Sequence, residues 1–173
     1  HAVRAHPLAR DETAITLIAH RADRYFASLV RTGVSLAPGA REMIASAATR
    51  CRLAIVTGVG RATVDSVLTL ADLDGAFEII VAAEDVAAAK PAPDGHRKAL
   101  ERMRRRRPLD ARAAIAIEPG AIGARAAHAA GLRCVVVAAP DIARIAEADA
   151  MVASLVGQTP ATLDAMLSMK AAG

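Results

Sequence analysis

The spacing of apolar positions divides the chain into alternating elements of two different periods. Over residues 11–32, Ile15, Ile18, Ala22, Phe26, Leu29 and Val30 recur at helical spacing and Gly33 follows as a stop, which predicts a helix. Pro38-Gly39 opens a second helix, running through Met43 and Ile44 to about Ala48. Residues 52–56 (RLAIV) form a short unbroken apolar run, the pattern of a strand buried on both faces. Thr57-Gly58-Val59-Gly60 leads into a helix that begins near Arg61 and carries Val64, Val67, Leu68 and Ala71. The alternation continues with a strand over 77–82, a helix over 93–106, a strand over 113–117, a helix over 121–130 and a strand over 134–137. The tail reads as a last short strand or turn within 148–155 and a closing helix over 160–166. Pro160 stands at the first turn of that helix, where its missing N–H breaks no helical bond.

Strands alternating with helices over short connections imply a parallel sheet covered by helices on both faces, in one compact α/β unit. In such sheets ligands bind outside the carboxyl ends of the strands. The positions that matter for chemistry are therefore 57–60, 83–90, 118–120 and 138–141.

Composition narrows the picture. Apolar residues are 54% of the 173 and mean hydropathy is +0.30, enough for a substantial core. No apolar run approaches the roughly 20 residues of a membrane span, and residues 1–10 hold no apolar stretch of the signal-peptide kind. A soluble protein of the cytoplasm is expected, with no membrane partner. Aromatics are only 2%, which argues against nucleic-acid binding by base stacking and leaves the core to Ala, Val, Leu and Ile. The net charge of +4 is concentrated in Arg102, Arg104, Arg105, Arg106 and Arg107, at the end of the helix predicted over 93–106. Cations there favour the helix dipole, so a solvated helix end is the plain reading. A nucleic-acid patch and a role beside a phosphorylated substrate are the alternatives. Cys51 and Cys134 have no metal-site or disulfide spacing, which suits a reducing compartment.

Three strand ends carry candidate chemistry. Thr57 ends a strand and precedes Gly58 and Gly60, so a hydroxyl and backbone N–H groups at a helix start are available to cradle an anion. Taken alone, the same residues fit an ordinary strand-to-helix turn. Lys90 lies in AKPAPD, where Pro91 and Pro93 restrict the backbone and fix where the lysine points. A lysine so held suits charge neutralisation at a phosphoryl group, although a surface lysine in a proline-rich turn has the same sequence. Glu118 leaves a strand just before Pro119-Gly120, and a carboxylate there is a candidate ligand for Mg²⁺.

In this order, "LAIVTGVGRATVDSVL", "EDVAAAKPAPDGHRKALERM" and "AIAIEPGAIGARAAHAAGLRCVVV" resemble the haloacid dehalogenase superfamily, in its β-phosphoglucomutase and phosphoglycolate-phosphatase branch. The resemblance runs from about residue 12 to 168. It implies a three-layer Rossmann-like core over 37–173, preceded over 1–36 by the remnant of a helical cap. It implies that Thr57 and Gly58 bind the phosphoryl group of a small phosphorylated metabolite, that Lys90 neutralises it, and that Glu118 is a metal-side acid for Mg²⁺. Thr57 and Lys90 are thus the implied catalytic residues of a Mg²⁺-dependent phosphomonoester phosphatase or phosphosugar mutase.

Two departures stand against that pattern. The second metal acid is replaced by Pro119, and the family's Asp-X-Asp pair is absent, since no aspartate from Asp11 to Asp23 follows an apolar strand-like run. The first aspartate of that pair would be the nucleophile that forms an aspartyl-phosphate. The resemblance puts its strand mid-sheet, so its absence is expected to leave two inner edges with unpaired backbone groups. The chain is therefore expected to be an N-terminally incomplete version of a longer protein, a decayed relative, or both. A catalytically inactive module that binds a phosphate ligand or a partner is the alternative function.

Overall fold

The computed structural model describes Ser28, Gly33 and residues 35–171. Its elements are α1 (Ala40–Ala48), β1 (Ala54–Val56), α2 (Arg61–Leu70), β2 (Ile79–Val81), α3 (Asp94–Arg104), β3 (Ile115–Glu118), α4 (Ala121–Ala129), β4 (Arg133–Val137), β5 (Ala150–Val152) and α5 (Pro160–Ala171). Short 3-10 turns occupy Ala83–Asp85 and Ala111–Ala113. The helix predicted over 11–32, and with it the cap assigned to 1–36, falls outside the described residues apart from Ser28, Gly33, Ser35 and Leu36. No helix among the described residues is long and apolar enough to cross a membrane.

All strand pairing among the described residues is parallel, as the alternation requires, and it is divided between two sheets. β1 pairs with β2 in one, and β3, β4 and β5 lie in that order in the other. Among the described residues the division falls between β1 and β3, where the two open inner edges are expected in the absence of the mid-sheet strand. Bond parity identifies the open edges. The Leu53 carbonyl accepts from Ile79 N–H and the Thr57 N–H donates to the Val81 carbonyl, so the backbone groups of Ala54 and Val56 point away from β2. On β4 the Cys134 carbonyl and the Ala138 N–H are engaged on the β5 side. Arg133, Val135 and Val137 therefore serve β3, and Ile115 and Ile117 of β3 face its open edge. This also explains why the apolar runs are less buried than predicted. β1 is half-buried throughout, and Ile117 keeps 41% of its surface exposed.

Four apolar clusters make three layers. On the larger sheet, Ala124 and Ala127 of α4 and Leu100 of α3 pack against Ala116, Cys134 and Val136. Met43 of α1 and Leu163 and Leu167 of α5 pack with Val135 on its other face. On the smaller sheet, Val64 and Leu68 of α2 cover Ile55 and Ile80, while Ala99 and Met103 of α3 cover Val56, Ile79 and Val81. α3 and α1 each serve both sheets, α1 through Met43 on one and Ile44 on the other. Small residues set the spacing of α4: Gly123, Ala124, Ala126 and Ala127 are all buried. The start of α1 depends on Gly39, whose φ is +80° and where a Cβ would stand 2.2 Å from the backbone of Leu155 and Val156.

The arginines in the last turn of α3 and just beyond it are mostly paired. Arg102 pairs with Asp85, Arg105 with Glu101 and Arg106 with Glu78, and Arg104 donates to the Leu109 carbonyl.

Candidate functional site

The first turn of α3 is where the strand ends meet. A Cβ on Gly95 would stand 2.7 Å from Val56 and 4.0 Å from Val81, the last residues of β1 and β2. One residue on, the ring of His96 lies 3.0 Å through Nε2 from Glu118 Oε1, at the end of β3. Thr57, which follows Val56, and Lys90, which bonds to Glu118, thus come to the same end of the molecule.

Lys90 Nζ donates to both oxygens of Glu118, at 2.6 Å to Oε1 and 2.8 Å to Oε2. The peptide bond from Lys90 to Pro91 is cis. Glu118 is 6% exposed and His96 4%. Burial pushes the Glu118 carboxyl up, but the bonds from His96 and Lys90 and their charge outweigh it and hold it below the usual carboxylate range. An ammonium has three N–H donors and Glu118 takes two, so one donor of Lys90 remains. The Oε2 side of the carboxylate lies against α4, where a Cβ on Gly123 would stand 1.9 Å from it. Beneath it, burial and the charges of Glu118 and Asp149 push the Cys134 thiol up to about 12.

At the end of β1, the Thr57 hydroxyl accepts from the Val59 N–H at 3.1 Å. The Gly58 N–H makes no hydrogen bond among the described residues. A Cβ on Gly58 would meet nothing within 4 Å, so the glycine answers to no crowding from the fold. The start of α2 is already served by an acid, because the Arg61 N–H donates to both oxygens of Glu84 at 3.1 Å. Of the residues expected to cradle an anion, the Thr57 hydroxyl proton and the Gly58 N–H make no hydrogen bond among the described residues.

Asp85 and Asp141 also lie near strand ends. Asp85 pairs with Arg102 at 2.5 Å and accepts from the Ala82 N–H at 2.9 Å, and these bonds hold its carboxyl below the usual range. Asp141 is exposed in the loop after β4. Two residues of the site went unmarked in the sequence, His96 and Gly123. The available signals were a histidine on a helix at a position that turns inward, and a glycine inside an alanine-rich helix.

Three layers, parallel strands and polar side chains gathered at the carboxyl ends define an α/β protein of the Rossmann-like class. The family model for haloacid dehalogenase-like hydrolases matches residues 5–137, and the chain belongs to that family. It is similar to protein CbbY of Rhodobacter capsulatus, 38% identical over 119 residues that make up 66% of this chain and 51% of the relative. The chain thus spans about half the length of that curated relative. A crystal structure of CbbY from Rhodobacter sphaeroides in complex with phosphate matches with a TM-score of 0.73 at 32% identity, over 84% of this chain and 67% of that one. The same protein, as a variant, has also been crystallised with xylulose-1,5-bisphosphate. β-Phosphoglucomutase (pgmB) from Clostridium difficile shares the fold with a TM-score of 0.77 at 16% identity, over 94% of this chain and 71% of that one.

Proposed function

We propose that the chain is the phosphate-gripping part of a haloacid dehalogenase-like hydrolase acting on a small phosphorylated metabolite. In the whole protein the activity is that of a phosphomonoester phosphatase or phosphosugar mutase working through an aspartyl-phosphate. The nucleophilic aspartate of that reaction is not in this chain. The carrying observation is the Lys90–Glu118 pair, which fixes an ammonium at a strand end with one donor to spare. Family membership and the phosphate and sugar bisphosphate carried by CbbY structures support the same ligand class.

In this reading the Thr57 hydroxyl and the Gly58 N–H donate to phosphoryl oxygens, and Lys90 neutralises their charge. The Thr57 hydroxyl spends only its acceptor side on Val59, so its proton is available. Specific observations favour the second reading, a module that binds phosphate without turning it over. Asp85 is tied to Arg102, and Pro119 stands where a second acid would serve a metal.

Titrating orthophosphate into the 173-residue chain, followed by calorimetry, tests the grip. Thr57→Val and Lys90→Met are each expected to weaken binding by roughly tenfold or more, the loss of one charge-assisted bond. Equal affinity in all three proteins would overturn the assignment. Turnover of a chromogenic phosphomonoester above a Lys90→Ala control would instead mean that an acid within this chain is the nucleophile.

A further inference from the structure

Mg²⁺ is the cofactor that the family implies, and Glu118 is the residue of this chain cast to hold it. The donor set does not fit that role. Mg²⁺ demands close to six oxygens in octahedral array at about 2.0–2.1 Å, and it is normally held by one or two carboxylates free to approach it. Glu118 is not free. Oε1 accepts from Lys90 and from His96, at 2.6 and 3.0 Å, and Oε2 accepts from Lys90 at 2.8 Å. Oε2 also lies close against α4, where a Cβ on Gly123 would stand 1.9 Å from it, so the space beside it is narrow. A cation at Oε1 would have to displace Lys90 or His96, and one at Oε2 would have to share that oxygen with the Lys90 ammonium, at a cost in charge repulsion. Pro119 adds no side-chain oxygen, and no group of three His, Cys, Asp or Glu among the described residues is arranged to hold a metal.

His96 points to the same conclusion from another side. Its Nδ1 is buried with no hydrogen-bond partner, while Nε2 faces the carboxylate. Set 3.0 Å from Oε1, Nε2 is placed to donate its proton to Glu118. Glu118 thus receives three donors in a pocket that is almost closed to solvent. Such a carboxylate is a satisfied counter-ion, and its removal would leave Lys90 and His96 without their acceptor.

We infer that Glu118 is the counter-ion that orients Lys90 and not a magnesium ligand, and that this site takes a phosphoryl group with the Lys90 ammonium as its cation, independently of divalent metal. The part that concerns phosphate rests on the proposed function, and the part that concerns Glu118 does not.

Two measurements on the full chain separate these parts. In the first, Mn²⁺, a paramagnetic substitute for Mg²⁺, is titrated into metal-stripped protein and followed by electron paramagnetic resonance. The expected spectrum is that of the free aqua ion, or of ion bound equally well by wild type and Glu118→Gln. Bound Mn²⁺ in wild type that is lost in Glu118→Gln, with the circular dichroism of the variant unchanged, would overturn the inference. In the second, the dissociation constant for orthophosphate is measured in EDTA and in millimolar Mg²⁺. The two values are expected to agree within about twofold, whereas a rise in affinity of about tenfold or more with Mg²⁺ would overturn metal independence. A chain that binds phosphate under neither condition refutes the phosphate reading and metal-independent phosphate binding with it. The Mn²⁺ experiment would still decide whether Glu118 is a metal ligand.

Discussion

Gly123→Ala tests the geometry of the site without touching any of its polar groups. A Cβ at that position would stand 1.9 Å from Glu118 Oε2 and 2.5 Å from its Cδ, where ordinary contact begins at 3.4 Å. The carboxylate would have to retreat by about 1.5 Å to reach that distance. Lys90 and His96 lie within 2.6–3.0 Å of it, and a displacement of that size takes at least one of these bonds out of range. Overpacking alone costs about 1–3 kcal/mol, and unpairing a buried ion pair about 3–5 kcal/mol. Partial relaxation of α4 lowers the sum, so we expect a loss near 3 kcal/mol for the single variant. Urea denaturation of wild type, Gly123→Ala, Glu118→Ala and the double variant closes a cycle. With the Glu118 side chain removed, the three atoms nearest the added methyl group are gone, so the second substitution should cost less than about 1 kcal/mol in the Glu118→Ala background. A stability for Gly123→Ala within about 0.5 kcal/mol of wild type, or strict additivity in the cycle, would refute the reasoning.

The remaining predictions concern other parts of the molecule. Glu78 is held at about 2 by its bonds to Arg52, against an ordinary value of 4.5, with Arg106 assisting. Its folded value is depressed, so its contribution is present above the ordinary value and is lost as pH falls from about 4.5 towards about 2; Arg52→Ala should shift the acid-unfolding midpoint to higher pH, read by circular dichroism. Cys134 is fully buried with its thiol pushed up to about 12, while Cys51 is exposed, so a thiol reagent at mild alkaline pH should label one cysteine in the native chain and both in denaturant. Gly39→Ala forces a Cβ into the backbone at Leu155 and Val156 from a left-handed conformation, and a fall in thermal stability of about 2 kcal/mol or more is expected, with a neutral result refuting that contact.

The strand and helix alternation was legible because each element carries its own period, and the observed elements fall within a few residues of the predicted ones. The differences have local causes. Residue 52 was read into the first strand, yet Arg52 turns its side chain to Glu78 and to the Met103 carbonyl, and the ladder begins two residues later. Residue 113 was read as strand, but Asp110 accepts from the Arg112 N–H and winds residues 111–113 into a turn first. The strand-end rule groups Thr57, Lys90 and Glu118 at the carboxyl ends of the strands, but which of them touch was not legible. Lys90 and Glu118 were marked for their positions after strands, and nothing local says that they meet, because the pairing spans 28 residues. His96 was invisible for the same reason, since its partner lies 22 residues away and its own neighbourhood reads as an ordinary helix start.

The site and the junction between the two sheets occupy the same place, and this decides how variants of the site must be read. No ladder joins β1 to β3 among the described residues. What joins them on one side is α3, with Leu100 in the cluster of the larger sheet and Ala99 and Met103 in that of the smaller. On the other side it is α1. Lys90 precedes α3 and reaches across to the last residue of β3, so its bonds to Glu118 tie the junction as well as orient the ammonium. Loss of phosphate binding in Lys90→Met therefore has two possible origins, a missing donor or a loosened junction. Thr57→Val does not involve the junction. Its hydroxyl bonds within its own turn, to the Val59 N–H, and spans no interface between the sheets. Val also keeps the branched shape of Thr, so packing at the end of β1 is preserved. A fall in phosphate affinity in Thr57→Val at unchanged stability assigns the cradle to the strand end, and the Lys90 result can then be divided between charge and structure.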